Sequence, residues 1–404
     1  MNDLTVRPSK HDFSSLHAAM RKPVEANLLS GVSSAVLQGR ELLDLHCTGL
    51  ADREAGTPLR TDHVFRAFSN TKLITTCAVM GLIEDGLIGL DDPVARHIPQ
   101  LGNRQVLKAG ATALDQTEPA HGPITVRHLL SHSAGLSYGL LDPGTLMFKA
   151  YTERKMLHPG STLEGMMDKL AELPLSFHPG TSWEYSVATD VLARLVEVVS
   201  GERFDAFLSR RIFQPLGMRD TGFVVAQADQ HRLVGYYAGA SLTEPLKPGL
   251  TRTDQAPYPG AYLREVPLLS GGGGLVSSLP DMIALIRSLM PDPSGTSPAL
   301  LKADTLALMM RNHLPEGVSI RFAASGEVKG KGFGLGGAVT QTPSAIDPPE
   351  STHEFQWGGI AGTHWWINPR LNLAGIVMAQ RQMAFWHPFS FEIKRAVYAA
   401  VGSA

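Results

Sequence analysis

An α/β chain of the α+β type, with an antiparallel sheet assembled from both chain ends and a mainly helical insertion between them, is what the order of patterns predicts. Three observations carry that expectation. Two short apolar runs flank Gly39-Arg40, the stretch from about 90 to 230 reads as helix and loop, and beyond Gly330 several strand-like segments follow one another.

Taken in order, residues 12–28 have helical spacing, and 33–38 and 41–48 form a hairpin around Gly39-Arg40. A second helix is expected over 69–85, with Leu73, Ile74, Cys77, Met80 and Ile83 on one stripe. Pro99, Pro143, Pro159 and Pro179 punctuate the middle of the chain. There, Val191, Leu195, Val198 and Val199 line one helix face, and Gly201 sits where a C-terminal cap belongs. Ser278 and Asp281 have capping-box spacing ahead of Met282, Leu285 and Ile286. Strands are expected over 332–339, 354–357, 364–368 and 373–379, with a last helix from about Phe391. Residues 1–89 and 231–404 would then form an α/β domain and 90–230 a mainly helical one, with the active site between them.

Composition narrows the function. With 404 residues, 43% apolar and 18% charged, the chain can bury a large core. Its 36 basic and 38 acidic residues leave a net charge of -2 with no dense Lys/Arg stripe, which excludes nucleic acid as the expected partner. The first twenty residues carry no long apolar run, so neither export nor a membrane anchor is expected, and cytoplasmic residence follows. Cys47 and Cys77 are too few for a disulfide framework and lack C-x-x-C spacing, so both are expected as buried thiols. No repeat or low-complexity tract is present.

Chemistry concentrates at Ser69 and Lys72. Their spacing places a hydroxyl and an amine one turn apart on the same helix face. A serine is a poor nucleophile until a neighbouring base takes its proton, and a lysine can serve where its surroundings hold it neutral. A helix start also leaves backbone N–H groups free to stabilise an oxyanion. S-x-x-K is a common spacing by itself, with a capped surface helix as the plain alternative. Ser69, however, is the only serine with a lysine three positions on, and an apolar helix follows it.

Other candidates carry less. Gly135-Leu136-Ser137-Tyr138-Gly139 matches the G-x-S-x-G nucleophile elbow, but that elbow needs a strand before it, and residues 126–131 read as helix. Tyr138 remains a candidate for the pocket wall. His128 and His132 are four apart without a third metal ligand, so helix packing and local hydrogen bonds are the expected role. Gly271 to Gly274 lack the Gly-Lys-Ser/Thr ending of a phosphate loop and read instead as a strand whose backbone substrate approaches. Trp365, Trp366 and Trp386 are candidates for an acyl or alcohol pocket, or simply for the core.

Several blocks taken together resemble a known family. They are Gly49-Leu50-Ala51-Asp52-Arg53-Glu54, Phe65-Arg66-Ala67-Phe68-Ser69-Asn70-Thr71-Lys72, Arg127-His128-Leu129-Leu130-Ser131-His132-Ser133-Ala134-Gly135-Leu136, Pro179-Gly180-Thr181-Ser182-Trp183-Glu184-Tyr185-Ser186, Gln214-Pro215-Leu216-Gly217-Met218 and Trp357-Gly358-Gly359. In this order they look like the family VIII carboxylesterases, which share the fold of class C β-lactamases and DD-peptidases. The resemblance implies a β-lactamase/penicillin-binding-protein-like fold and hydrolysis of short-chain esters through an acyl-serine, with no cofactor and no metal. It maps Ser69 onto the acylated serine, Lys72 onto its lysine partner and Tyr185 onto the tyrosine of the Y-x-N position. The backbone N–H groups of Ser69 and Ile360 correspond to the oxyanion-hole donors, and Trp357, Gly358 and Gly359 to a substrate-binding strand.

Two departures from the β-lactamase pattern discriminate. Val187 stands where those enzymes have asparagine, and Trp357-Gly358-Gly359 where they have Lys-Thr-Gly. An apolar Trp357 face in place of a cation suits a neutral ester better than the carboxylate of a β-lactam. The rival readings are a β-lactamase or DD-peptidase, an acyltransferase that passes the acyl group to another alcohol, and a non-catalytic acyl-binding or scaffolding protein.

Overall fold

The computed structural model describes residues 4–291, 299–322 and 326–402. Its centre is an eight-stranded sheet whose order from one edge is Lys331–Phe333, Ala338–Thr340, Phe355–Gly359, Thr363–Asn368, Leu373–Ala379, Gly31–Gln38, Glu41–Asp52 and Thr57–Pro58. The seam between the chain ends is antiparallel, from Val32 opposite Ala379 to Gln38 opposite Leu373. These two strands are central because they are buried on both faces: only Gln38 of the first is exposed, and no residue of the second. The expected hairpin turns at Gly39, whose φ of 56° lies in the left-handed region that glycine tolerates.

Each sheet face has its own core. On one face Leu16 and Met20 of the helix Ser14–Glu25 and Ile393 and Val397 of Pro388–Gly402 pack against Val32, Val36 and Val377. The opposite face packs on Leu279–Ser288, with Thr71–Glu84 beyond it in the same core. Here the structure departs from the expected stripe, because every residue from Thr71 to Leu82 is buried. A helix enclosed on all sides shows no polar face. It packs against Ala188–Ser200, whose buried face holds Val191, Leu195 and Val196, while Val198 points outward at 38% exposure.

Local chemistry sets several helix starts. Thr125, Thr145 and Thr162 each accept a backbone N–H through the side chain at the head of Val126–Leu130, Leu146–Glu153 and Leu163–Ala171. Gly201 closes Ala188–Ser200 with a φ of 71°, as expected. The capping box at Ser278 does not form: its hydroxyl makes no cap bond, and Asp281 instead accepts from the Asp220 N–H at 2.8 Å and the Thr221 hydroxyl at 2.7 Å. The segment expected as one strand over 332–339 is two strands with a turn between them, Gly332 lying opposite Val339. A small hairpin, Gln105–Leu107 with Thr117–Pro119, interrupts the stretch read as helix and loop. Cys77 is buried, whereas Cys47 is half-buried, short of the expected burial; both thiols are free. Among the described residues no helix is long and apolar enough to cross a membrane.

Candidate active site

Ser69 lies in the 3-10 turn Phe68–Asn70 that leads into the Thr71–Glu84 helix. The residue before it, Phe68, has a φ of 44°, a conformation that costs a bulky residue energy and is retained only where its surroundings enforce it. Lys72, 2% exposed, sits one turn on. Its Nζ is 3.4 Å from Ser69 Oγ and donates to the Gly272 carbonyl at 2.7 Å.

Tyr185 arrives from 116 residues away, with its hydroxyl oxygen 2.6 Å from Ser69 Oγ. Lys72 Nζ is also 4.6 Å from the centre of the Tyr185 ring, so amine, phenol and serine hydroxyl form one cluster. The backbone around Tyr185 is tied to the 132–137 segment. Glu184 N–H donates to the His132 carbonyl at 3.1 Å, Ser186 N–H to His132 Nδ1 at 3.2 Å and Val187 N–H to the Ser137 carbonyl at 3.1 Å. These bonds join two of the sequence blocks, the one holding His132 and the one holding Tyr185.

The remaining wall comes from the late strands. Trp357 Nε1 donates to the Tyr185 hydroxyl at 3.4 Å, and the two rings lie 5.3 Å apart. Gly359 ends its strand against the Ser69 turn, where an added β-carbon would lie 2.7 Å from the Ala67 carbonyl and 3.2 Å from Phe68 Cβ. Only glycine allows that approach, and it brings Ile360 beside Ser69. Ser69, Tyr138, Tyr185, Trp357, Gly358 and Ile360 line one cavity of about 80 Å³, together with Phe68, Leu140, Leu141, Gly272, Gly273, Phe322, Phe385 and Trp386. Gly359 sits behind that lining.

Asp190 escaped the sequence reading. Its Oδ1 accepts from the Ser270 hydroxyl at 2.5 Å and from the Gly272 N–H at 3.1 Å, so it fixes the turn whose carbonyl holds Lys72. Burial pushes its carboxyl up from the ordinary value; the positive charge of Lys72 and these hydrogen bonds act the other way. A signal was available, because Asp190 falls between Val187 and Val191 at helical spacing on the buried face. Gly272 could carry no side chain: a β-carbon would lie 2.7 Å from Asp190 Oδ2.

The other candidates take structural places. Ser137 is 1% exposed, follows no strand and is hydrogen-bonded to Glu184, whose carboxyl burial pushes up to about 7. His128 closes a capping box with Thr125. Gly271 to Gly274 form a turn rather than the expected strand, although Gly272 and Gly273 do face the cavity. Val187 is fully buried and outside the cavity lining, so this position offers no side chain to a ligand.

A serine, a lysine and a tyrosine meeting at a helix tip, beside the end of an antiparallel sheet, define the class to which the fold belongs. Residues 16–386 match the Beta-lactamase family model, and the chain belongs to that family. It is 32% identical to Esterase EstB of Burkholderia gladioli, over 95% of this chain and 94% of that one. Among solved structures it is similar to EstCE1, a hydrolase with promiscuous acyltransferase activity (27% identity, TM-score 0.76, 95% and 97% covered). It is also similar to a simvastatin synthase mutant from Aspergillus terreus (25% identity, TM-score 0.78, 96% and 95% covered).

Proposed function

We propose that the protein is a carboxylesterase that hydrolyses short-chain esters through an acyl-enzyme on Ser69. The observation that carries this reading is the 2.6 Å contact between the Tyr185 and Ser69 hydroxyls with Lys72 Nζ 3.4 Å from the same serine oxygen. Lys72 and Tyr185 share the serine proton as a coupled pair while Oγ bonds to the ester carbonyl carbon. The oxyanion is received by the backbone N–H groups of Ser69 and Ile360. Its collapse breaks the bond to the alcohol oxygen, which takes the proton from Tyr185. Water then attacks the acyl carbon, gives a proton back to the same pair, and the acid leaves as Ser69 recovers its hydrogen.

In this reading residues 1–89 and 231–404 act as one body and 90–230 as the other, with the ester held between them by Tyr138, Trp357 and Gly358, while Gly359, expected to bind substrate, backs the wall instead. A cavity of about 80 Å³ beside Ser69 favours short acyl chains. The free thiols of Cys47 and Cys77 fit a reducing, cytoplasmic setting. The similarity to Esterase EstB supports hydrolysis, and the similarity to EstCE1 supports passage of the same acyl group to a second alcohol when one is abundant.

Labelling with a fluorophosphonate followed by peptide mapping tests the nucleophile. The adduct is expected on Ser69; an adduct on Ser137, or no adduct together with no turnover of p-nitrophenyl butyrate, rejects the reading. Faster turnover of a chromogenic cephalosporin than of that ester would move the assignment to a β-lactamase.

A further inference from the structure

The helix Val126–Leu130 runs out at His132 in a geometry that usually calls for glycine. His132 N–H donates to the Leu129 carbonyl at 3.3 Å and Ser133 N–H to the His128 carbonyl at 2.9 Å, the paired bonds of a Schellman motif. That motif needs a left-handed residue at its turn, and His132 supplies it with a φ of 55°. Glycine takes this conformation at no steric cost, whereas a larger residue keeps it only where its surroundings enforce it. A side chain carried at that cost points to a task beyond ending the helix.

The ring shows what the task is. His132 is 2% exposed, and its Nδ1 accepts the Ser186 N–H at 3.2 Å. A backbone N–H can only donate, so Nδ1 carries no hydrogen and the neutral ring holds it on Nε2. The Ser186 hydroxyl, 3.1 Å from the same nitrogen, donates to it as well. Burial, aided by the positive charge of Lys72, holds the imidazole well below its ordinary value, which keeps Nδ1 free to accept.

Tyr185 needs such support because residues 182–186 belong to no helix or strand. His132 grips the chain on both sides of it: the carbonyl accepts from Glu184 N–H at 3.1 Å and the ring from Ser186 N–H. Between these two bonds the imidazole packs on the Tyr185 ring, with 4.9 Å between centres. The phenol oxygen then lies 2.6 Å from Ser69 Oγ. We infer that His132 is a positioning residue for the reaction, holding the Tyr185 hydroxyl against Ser69 through the bond from Ser186 N–H to its Nδ1. The inference rests on the esterase reading, in which Tyr185 hands the proton to the leaving alcohol, and adds what keeps that tyrosine in range.

His132→Asn and His132→Phe separate the acceptor from the ring. Asparagine tolerates the left-handed conformation and carries Oδ1 as many bonds from the backbone as Nδ1, so it keeps an acceptor for Ser186 without the ring. Phenylalanine keeps an aromatic ring and loses the acceptor. On p-nitrophenyl butyrate His132→Phe should lower kcat about thirtyfold with KM within about twofold of wild type, while His132→Asn should stay within about threefold in kcat. Should His132→Phe not fold, His132→Gly removes the acceptor without backbone strain and should show the same fall in kcat. In a Tyr185→Phe background, loss of the acceptor should cost less than about twofold, because its effect passes through that hydroxyl. A loss in His132→Asn as large as in the acceptor-free variant, or the same loss with and without the Tyr185 hydroxyl, would overturn the inference while the esterase reading stands. Near-normal turnover by Tyr185→Phe alone would bring down both.

Discussion

Gly359 and Ala67 lie so close that a single β-carbon on the glycine would stand 2.7 Å from the alanine carbonyl oxygen. The contact ties the end of a sheet strand to the turn that carries Ser69, and Thr363 reinforces it by donating its hydroxyl to the same carbonyl at 3.2 Å. Gly359→Ala should push the strand away from the turn, lowering kcat about a hundredfold and stability by about 1–3 kcal/mol. Steady-state kinetics and thermal melting read the two effects; a variant with wild-type kcat would show that the spacing of strand and turn does not matter to the reaction.

Lys72→Ala and Tyr185→Phe should each reduce kcat by about a thousandfold on p-nitrophenyl butyrate, within the range expected for losing a proton-transfer partner. Far-ultraviolet circular dichroism should be unchanged in both. Near-normal turnover in either variant breaks the proton path through that residue.

Asp190→Asn keeps the size of the side chain but removes the negative charge opposite Lys72. A fall in kcat of about tenfold to a hundredfold, with KM little altered, is expected. Because the carboxyl lies above its ordinary value, it takes up a proton earlier than a free aspartate as the solution is acidified. The wild-type rate should therefore fall, on acidification, at a higher pH than an ordinary aspartate would set, and this limb should be absent from the variant's pH profile. Identical profiles would place Asp190 outside the working apparatus.

Glu184→Gln tests the linkage between burial and stability. The Glu184 carboxyl is raised from 4.5 to about 7, so the native state holds its proton more tightly than the unfolded chain. Stability from this group is present below about pH 4.5 and is lost as the pH rises towards about 7. At pH 8 the variant should be the more stable protein, by on the order of 2 kcal/mol, and near pH 4 the two should coincide. Equal stability of the two proteins at pH 8 would remove burial as the cause.

The hairpin at Gly39 and the strands over 354–357, 364–368 and 373–379 were legible in the sequence because alternation and turn residues announce them locally, and the motif blocks named Ser69, Lys72 and, through the family resemblance, Tyr185, which the fold brings into one cluster. What stayed hidden depends on distant partners. The enclosed Thr71–Glu84 helix reads as a stripe until its neighbours on every side are known. Asp281 looks like a helix cap, yet Asp220 and Thr221 claim its carboxylate first. Trp365 and Trp366 are adjacent in sequence, but strand alternation sends the first into one core against Phe355 and the second into the core on the other face of the sheet.

The pairing of Gly31–Gln38 with Leu373–Ala379 also has a consequence for biosynthesis. The first strand leaves the ribosome long before its neighbour on that side. Until then the hydrogen-bonding edge along Val32 to Gln38 has no native cover, and the strand ending at Gly359, which completes the wall beside Ser69, has no connection through the sheet to Gly31–Gln38. A nascent chain halted before residue 355 would thus carry the nucleophile without its workplace, and would offer an unpaired strand to chaperones or to its own copies.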